Sequence, residues 1–114
     1  MGQALPQSLR RGGRDRDSPV IRRLQARSEE CFFWATHAGA DLDLMIVRGN
    51  RRFGYEFKRT DAPRVTPSMR SAQETLRLNR LEVIHAGKHT FALGNRIRAV
   101  AAQDLLKELR PPSG

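Results

Sequence analysis

Two runs of alternating residues joined by Gly49 and Asn50 constrain the fold more strongly than any other part of the sequence. Residues 42–47 and 53–58 each alternate along the chain with the period of two that is typical of β-strands. Glycine followed by asparagine suits a type II′ turn, because glycine takes the backbone geometry of the first turn position at low cost. The sequence therefore predicts a β-hairpin over residues 41–59, with Arg48 opposite Arg51.

This register predicts a pair of acidic residues on neighbouring strands. Asp43 falls opposite Glu56, and Lys58 falls opposite Asp41. Directly opposed residues have Cβ atoms roughly 4.5–5.5 Å apart, and two carboxylates at that separation repel each other unless a proton or a cation lies between them. Hard divalent cations such as Mg²⁺ bind oxygen ligands of this kind.

A metal site at this pair would suit the hydrolysis of phosphodiesters. Asp43 and Glu56 would hold Mg²⁺ or Mn²⁺, which would polarise the scissile phosphate and activate a water molecule. Lys58 would orient that water or offset the charge that develops on the phosphate. The alternative interpretation is an exposed strand face of alternating charges in which Lys58 pairs with Asp41. A single β-bulge would also shift Asp43 and Glu56 out of register.

Three short motifs together resemble a known class of nuclease. They are Phe33-Trp34, Gly39-Ala40-Asp41-Leu42-Asp43 and Glu56-Phe57-Lys58-Arg59. Over residues 20–106 the chain resembles the PD-(D/E)XK nuclease superfamily. More narrowly, it resembles the uncharacterised nuclease-like domain at the C-terminal end of many bacterial AAA+ ATPases.

The resemblance implies a fold, a set of site residues and a partner. The implied fold is α/β, with a restriction-endonuclease-like core in the order α-β-β-β-α-β and a central mixed sheet flanked by helices. Asp43 and Glu56 would be the metal ligands, and Lys58 the catalytic lysine of a Mg²⁺-dependent deoxyribonuclease. In longer relatives an ATPase module would accompany the domain.

The start of the chain departs from the superfamily's pattern. Members often add an acidic residue from a helix before the first strand, whereas residues 10–17 are rich in Arg and Gly and are poor helix formers. Asp15, Asp17, Glu29 and Glu30 are the candidates for that acid. The departure favours an alternative, a catalytically inactive module that binds nucleic acid or protein. It also suggests a fragment of a longer ATPase, or a variant with an altered start.

The charge of the chain favours nucleic acid as the partner, with DNA preferred. The 21 basic and 12 acidic residues give a formal net charge of +9, which attracts polyanions. Arg51 and Arg59 are the predicted backbone contacts, because a planar guanidinium grips two phosphate oxygens. The competing explanation is codon supply, since a GC-rich genome would also produce this excess of arginine.

Composition along the chain divides it into three parts. Residues 1–17 are predicted to be a disordered basic arm, residues 18–110 the nuclease-like α/β domain, and residues 111–114 a tail. Within the domain, helices are expected from Pro19 to near Arg27, over residues 67–78, and around Leu105, Leu106 and Leu109. Further strands are expected over residues 31–36, 81–85, 90–93 and 97–100, with a turn at Gly94 and Asn95.

Several functions and locations are disfavoured by the sequence. Because no run of 18 apolar residues and no apolar leader occurs, we expect a cytoplasmic protein without a membrane helix or a secretory signal. The lone Cys31 fits a reducing compartment. His85 and His89 are predicted to be exposed turn residues rather than zinc ligands. The chain lacks GxxxxGK[ST], so we expect no ATP site in it.

Overall fold

The computed structural model of the protein describes residues 9–11 and 19–104, and a mixed β-sheet organises them. The strands, in the sheet order β1-β2-β3-β4-β5-β7-β6, are β1 (Leu9–Arg11), β2 (Cys31–Ala35), β3 (Asp41–Arg48), β4 (Arg51–Phe57), β5 (Arg80–His85), β6 (Phe91–Gly94) and β7 (Ile97–Ala101). Two α-helices, α1 (Pro19–Leu24) and α2 (Pro67–Thr75), and two 3-10 turns, Ser28–Glu30 and Ala102–Asp104, complete the described chain. This combination of a mixed sheet and two α-helices confirms the predicted α/β class.

The hairpin of β3 and β4 forms as predicted. Arg48 pairs with Arg51 and the register continues to Leu44 opposite Tyr55. Gly49 has a φ of +63° and Asn50 does not share the left-handed geometry, as a type II′ turn requires. The turn therefore sets the register of the central strands.

A β-bulge in β3 interrupts the predicted alternation. Phe32 pairs with Met45 and Trp34 with Leu42, so two residues of β3, Asp43 and Leu44, lie opposite one residue of β2. The extra residue reverses the side of the sheet to which the side chains beyond the bulge point, compared with an uninterrupted strand. The period of two predicted over residues 42–47 is therefore broken between Leu42 and Leu44, which lie in separate core clusters.

The two sides of the sheet carry separate hydrophobic layers. We call the layer beneath α2 the α2 layer; its buried members are Phe32, Trp34, Leu42, Met45, Met69, Ala72, Leu76, Leu78, Leu81, Val83 and Ile97. The opposite layer, which includes Leu24 of α1, is called the α1 layer; its buried members are Leu24, Cys31, Leu44, Ile46, Phe53, Tyr55, Ile84 and Val100. Burial of apolar surface on both sides is the main force that holds the sheet.

Helix α2 connects two parallel neighbours, β4 and β5, and forms the crossover between them. Thr66 caps it, because its Oγ1 accepts a hydrogen bond from the Met69 N–H at 3.2 Å, and Pro67 occupies the first turn. The helix ends at Thr75, earlier than predicted, and Arg77 adopts a positive φ of 52°. The crossover places the start of α2 near the carboxyl end of β4.

Both ends of the described sheet differ from expectation. Leu9–Arg11, which falls in the predicted disordered arm, forms a strand antiparallel to β2, and Leu9 packs against the α2 layer. The β6–β7 turn is shifted by one residue, because Gly94 pairs with Ile97 and Arg96 takes a φ of 61°. Helix α1 ends at Leu24, before a left-handed Gln25. The predicted closing helix, the tail and the rest of the arm lie outside the described residues.

Among the described helices, none is long and apolar enough to cross a membrane.

Candidate functional site

Asp43 lies at the β-bulge, and its carboxylate binds the neighbouring strand. Its Oδ2 accepts a hydrogen bond from the Phe57 N–H at 2.9 Å. The contact lies one step beyond the last described backbone pair of the hairpin, Leu44 with Tyr55. The bulge and this bond therefore bring Asp43 to the end of β4, where the sequence predicted direct opposition to Glu56.

Glu56 is a buried acid on the central strand, with 2% of its surface exposed. A Cβ built on Gly54 would meet Leu42, Leu78 and Leu81, so Gly54 faces the α2 layer. Glu56 follows two residues later and faces the same side. Burying a carboxylate is costly unless it is paired, and the ion-pair partner is Lys58.

Lys58 immediately follows β4 and reaches back to Glu56. Its Nζ lies 3.9 Å from Glu56 Oε2, and about a third of the side chain is exposed. Its backbone N–H donates to the Ile84 carbonyl at 2.8 Å, which extends the contact with β5. The ion pair that the structure places here is Lys58 with Glu56, not the predicted alternative of Lys58 with Asp41.

Asp41 instead connects β3 to the start of α2. Its backbone N–H donates to Ser68 Oγ at 3.1 Å, and Ser68 Oγ lies 3.3 Å from the Asp41 carbonyl oxygen, to which it donates. Ser68 was not among the residues predicted to lie in this region. Its position directly after a Thr-Pro helix start is the signal that would have found it.

Of the predicted site residues, three gather around the backbone of Phe57. Asp43 bonds its N–H, while Glu56 and Lys58 flank it and pair with each other. We call Asp43, Glu56 and Lys58 the acid–lysine cluster. Arg59 follows directly and is exposed.

Arg51 is not brought to the acid–lysine cluster. It precedes Glu56 by five strand residues, a separation of about 16 Å, and its guanidinium carbon lies 5.4 Å from the centre of the Phe53 ring. Phe53 belongs to the α1 layer. Arg51 therefore lies at the other end and on the other side of β4 from Glu56.

The candidates for an additional acid are placed elsewhere or lie beyond the described chain. Glu30 accepts two hydrogen bonds from Arg48, at 3.1 and 3.0 Å, and one from the Arg27 N–H at 2.9 Å. These bonds hold the pKa of Glu30 below its ordinary value, with the Arg48 side chain as the largest cause. Glu29 is exposed on the same turn. Asp15 and Asp17 lie outside the described residues.

The acid–lysine cluster offers oxygen ligands of the type that a hard divalent cation binds, but only two residues supply them. Carboxylate oxygens from Asp43 and Glu56 are suitable ligands for Mg²⁺ or Mn²⁺, which usually keep several waters and need few protein ligands. Across residues 9–11 and 19–104, no group of three or more His, Cys, Asp and Glu residues is arranged to hold a metal. The fit therefore rests on two carboxylates.

His85 differs from its predicted exposed position, whereas His89 is exposed as expected. His85 ends β5 with only 2% of its surface exposed. Its Nδ1 accepts from the Gly87 N–H at 3.0 Å, so Nε2 carries the proton and donates to the His89 carbonyl at 2.9 Å. The Ala86 N–H donates to Thr60 O at 3.0 Å, which joins this loop to the segment after Lys58.

Comparisons with known proteins give a family but no activity. The family model described as "Domain of unknown function (DUF4143)" matches residues 17–105. The uncharacterized proteins Rv2008c of Mycobacterium tuberculosis and Mb2031c of Mycobacterium bovis are each 40% identical over 75 residues, which is 66% of this chain. The aligned part spans only 17% of the length of each relative. No solved structure matches.

Proposed function

The chain belongs to the DUF4143 family, and we propose that it is a divalent-metal-dependent nuclease-like domain that hydrolyses DNA phosphodiesters. The family is one of unknown function, so the proposal is built on this chain's own residues. The observation that carries it is the acid–lysine cluster, in which two carboxylates and one ammonium gather around the Phe57 backbone.

Each residue of the cluster has a distinct role in this proposal. Asp43 and Glu56 would hold Mg²⁺ or Mn²⁺ through carboxylate oxygens, the ion supplying polarisation of the scissile phosphate and a more acidic water. Lys58 is partly exposed beside Glu56 and can donate a hydrogen bond to the water or to a phosphate oxygen. Arg59, exposed directly after Lys58, can contact the phosphate backbone.

The order of elements supports a restriction-endonuclease-like core. From α1 to β5 the chain runs helix, three strands, helix and strand, which is the expected α-β-β-β-α-β order. The strand that bears Glu56 lies at the centre of the mixed sheet, antiparallel to β3 and parallel to β5. β1, β6 and β7 extend this core at its edges.

A second candidate function is a binding module that grips nucleic acid or protein without cleavage. The observation in its favour is that both carboxylates already have structural bonds, Asp43 to the Phe57 amide and Glu56 to Lys58. The net charge of +9 suits either candidate.

We also propose that the domain works in the cytoplasm as part of a longer protein, beside an ATPase module. The short span of the aligned segment within the relatives supports the longer context. The lone, buried Cys31 is compatible with a reducing compartment.

Metal binding is the first test, because it does not depend on knowing the substrate. We expect calorimetric titration of Mg²⁺ and Mn²⁺ to give binding that Asp43→Asn removes, since the asparagine oxygen still accepts the Phe57 N–H but carries no charge. Glu74→Gln, which removes an exposed carboxylate on α2, is the matched control. No binding to the folded wild type would refute the metal site.

Cleavage of labelled DNA then separates the two candidates. Glu56→Gln and Lys58→Ala should abolish Mg²⁺-dependent cleavage, while Lys88→Ala, at an exposed lysine, should leave it unchanged. Equal cleavage by wild type and both cluster variants would exclude this site. DNA binding without cleavage in any protein would favour the binding module.

A further inference from the structure

We propose a second anion-binding surface, formed by Arg51 and Arg80 against Phe53, that binds the phosphate backbone of nucleic acid. We call these three residues the arginine platform. It lies apart from the acid–lysine cluster and does not rest on metal binding or cleavage there.

The register of the sheet builds the platform. Arg51 and Phe53 lie two residues apart on β4, and Phe53 pairs with Arg80 on the parallel strand β5. The guanidinium carbons of Arg51 and Arg80 lie 5.4 and 5.1 Å from the centre of the Phe53 ring. Both distances are within the range of cation–π attraction. The buried Phe53 ring therefore contacts two guanidinium groups.

Glu82, the carboxylate near the arginine platform, pairs with two arginines. Glu82 is 1% exposed and accepts from Arg98 at 3.0 and 3.2 Å, and Arg80 Nε lies 3.0 Å from its Oε1. Arg51 forms no ion pair with any carboxylate of the described residues. Glu82 thus pairs with two of the three arginines, and an added anion would compensate the positive charge that Arg51 brings to the platform.

The platform can be reached from solvent. Arg51 is exposed, and 42% of the Arg80 side chain is accessible although its Nε is engaged by Glu82. Contact with Phe53 and Glu82 limits the motion of these side chains, so less side-chain entropy is lost when they bind. Guanidinium groups held in this way can each donate two hydrogen bonds to a phosphate, which the ammonium of a flexible lysine does not match.

Phosphate is favoured over the carboxylates of an acidic protein by the overall charge. The platform belongs to a chain with a net charge of +9, and a nucleic acid presents closely and regularly spaced charges that such a protein attracts over long range. DNA and RNA share this backbone, so both belong to the proposed class.

The test measures binding with EDTA present, so that cleavage plays no part. The probes are a fluorescein-labelled single-stranded DNA, its duplex and an RNA of the same sequence, with fluorescence anisotropy recorded across salt concentrations. Arg51→Gln with Arg80→Gln should weaken binding at least about tenfold and reduce the log–log salt slope by about 2. Loss with DNA alone or RNA alone would identify the preferred nucleic acid.

A matched pair controls for charge. Arg70→Gln with Arg77→Gln removes the same charge from two exposed arginines, one on α2 and one in the turn that follows it, and should have a clearly smaller effect. Arg51→Lys with Arg80→Lys should restore part of the affinity if all variants melt like the wild type. Equal weakening by both glutamine pairs, or none, would overturn the proposal.

Two further arms keep the outcomes distinct. Glu74→Gln, which removes an exposed carboxylate on α2, should keep full affinity in EDTA. Because EDTA removes divalent cations, failure of the nuclease proposal and failure of the platform are separately visible. Labelled polyglutamate should bind weakly and without dependence on Arg51 and Arg80. Polyglutamate binding as strong as that of DNA, and equally sensitive to both arginines, would assign the platform to an acidic protein and refute the nucleic-acid proposal.

Discussion

The buried Glu56 depends on the absence of a side chain at a neighbouring position. Gly54 precedes it on the same side of β4 and faces three leucines of the α2 layer. Its φ is not positive, so the glycine is required here by space rather than by backbone geometry. Close packing at Gly54 holds this part of β4 against the leucines of the α2 layer, and with it the position of the Glu56 carboxylate.

Gly54→Ala should therefore destabilise the fold by overpacking. The added Cβ would lie 2.7 Å from Leu78 Cδ1, 3.1 Å from Leu81 Cδ1 and 3.3 Å from Leu42 Cδ2. We expect a loss of about 1–3 kcal/mol in the free energy of unfolding, measured in urea. Gly94→Ala, whose Cβ would lie 3.7 Å from Val65 Cγ2, should change it by less than about 0.5 kcal/mol. Equal effects would contradict this account of packing.

Tyr55 gives a second test of burial, because it is the chain's single tyrosine. Its side chain is fully buried in the α1 layer, and burial raises the pKa of the phenol from 10.0 to about 12. Ultraviolet absorbance of the phenolate should therefore show ionisation well above pH 10 in the folded protein.

The same shift predicts how stability depends on alkaline pH. The unfolded phenol ionises near pH 10 and the folded one near 12, so Tyr55 favours the folded state fully below pH 10, and that contribution falls as pH rises to 12. Tyr55→Phe should lose this part of the pH dependence. A phenol that titrates near 10 in the folded protein would disprove its burial.

At the scale of elements, the His85 side chain holds the loop between β5 and β6 in place. It accepts the Gly87 N–H and donates to the His89 carbonyl, and its ring lies edge-on to Phe91 at 5.9 Å between centroids. A Cβ on Gly87 would lie 2.6 Å from the Asp61 carbonyl oxygen. The loops after β4 and β5 are thus held in close contact.

Replacing this histidine should loosen the loop. His85→Leu removes both ring hydrogen bonds, and we expect a loss of about 1–3 kcal/mol in the free energy of unfolding. Hydrogen exchange at the Gly87 amide should accelerate. His89→Leu, at an exposed side chain, is the control and should change stability little. Similar losses of stability in both variants would show that the His85 ring does not hold this loop.

The sequence predicted the elements whose signals are local. Thr66 and Pro67 located the start of α2, and Gly49 with Asn50 located the central turn and its register. The bulge at Asp43 and Leu44 was not predictable in this way, because it depends on how β2 pairs with β3 and not on residues within β3. The strand at Leu9–Arg11 was missed for the same reason, since its partner is distant in sequence.

The candidate site was predicted to a similar extent. The turn and the alternation identified Asp43, Glu56 and Lys58, and the structure brings them around one peptide group. Their actual bonds differ, because the bulge redirects the Asp43 carboxylate to a backbone amide. The separation of Arg51 from Glu56 became clear only from the folded sheet. A distance of five residues along β4 places the two side chains at opposite ends and on opposite sides of the strand.

At the scale of the whole molecule, β4 carries both proposed surfaces. The acid–lysine cluster lies at the carboxyl end of β4 and the arginine platform at its amino end, on the opposite side of the sheet. Along the strand, Arg51 and Glu56 are about 16 Å apart. The sheet extends on both sides of β4, antiparallel toward β3 and parallel toward β5. A rigid central strand therefore fixes the geometry between a proposed metal site and a proposed phosphate contact.

The hydrogen bond from Phe57 to Asp43 gives this strand a built-in spectroscopic reporter. The proton on that single nitrogen is bonded to a carboxylate oxygen 2.9 Å away. Its chemical shift will therefore change when the Asp43 carboxylate binds a cation. In a ¹⁵N-labelled sample, one resonance would follow cation binding at Asp43 without any substrate.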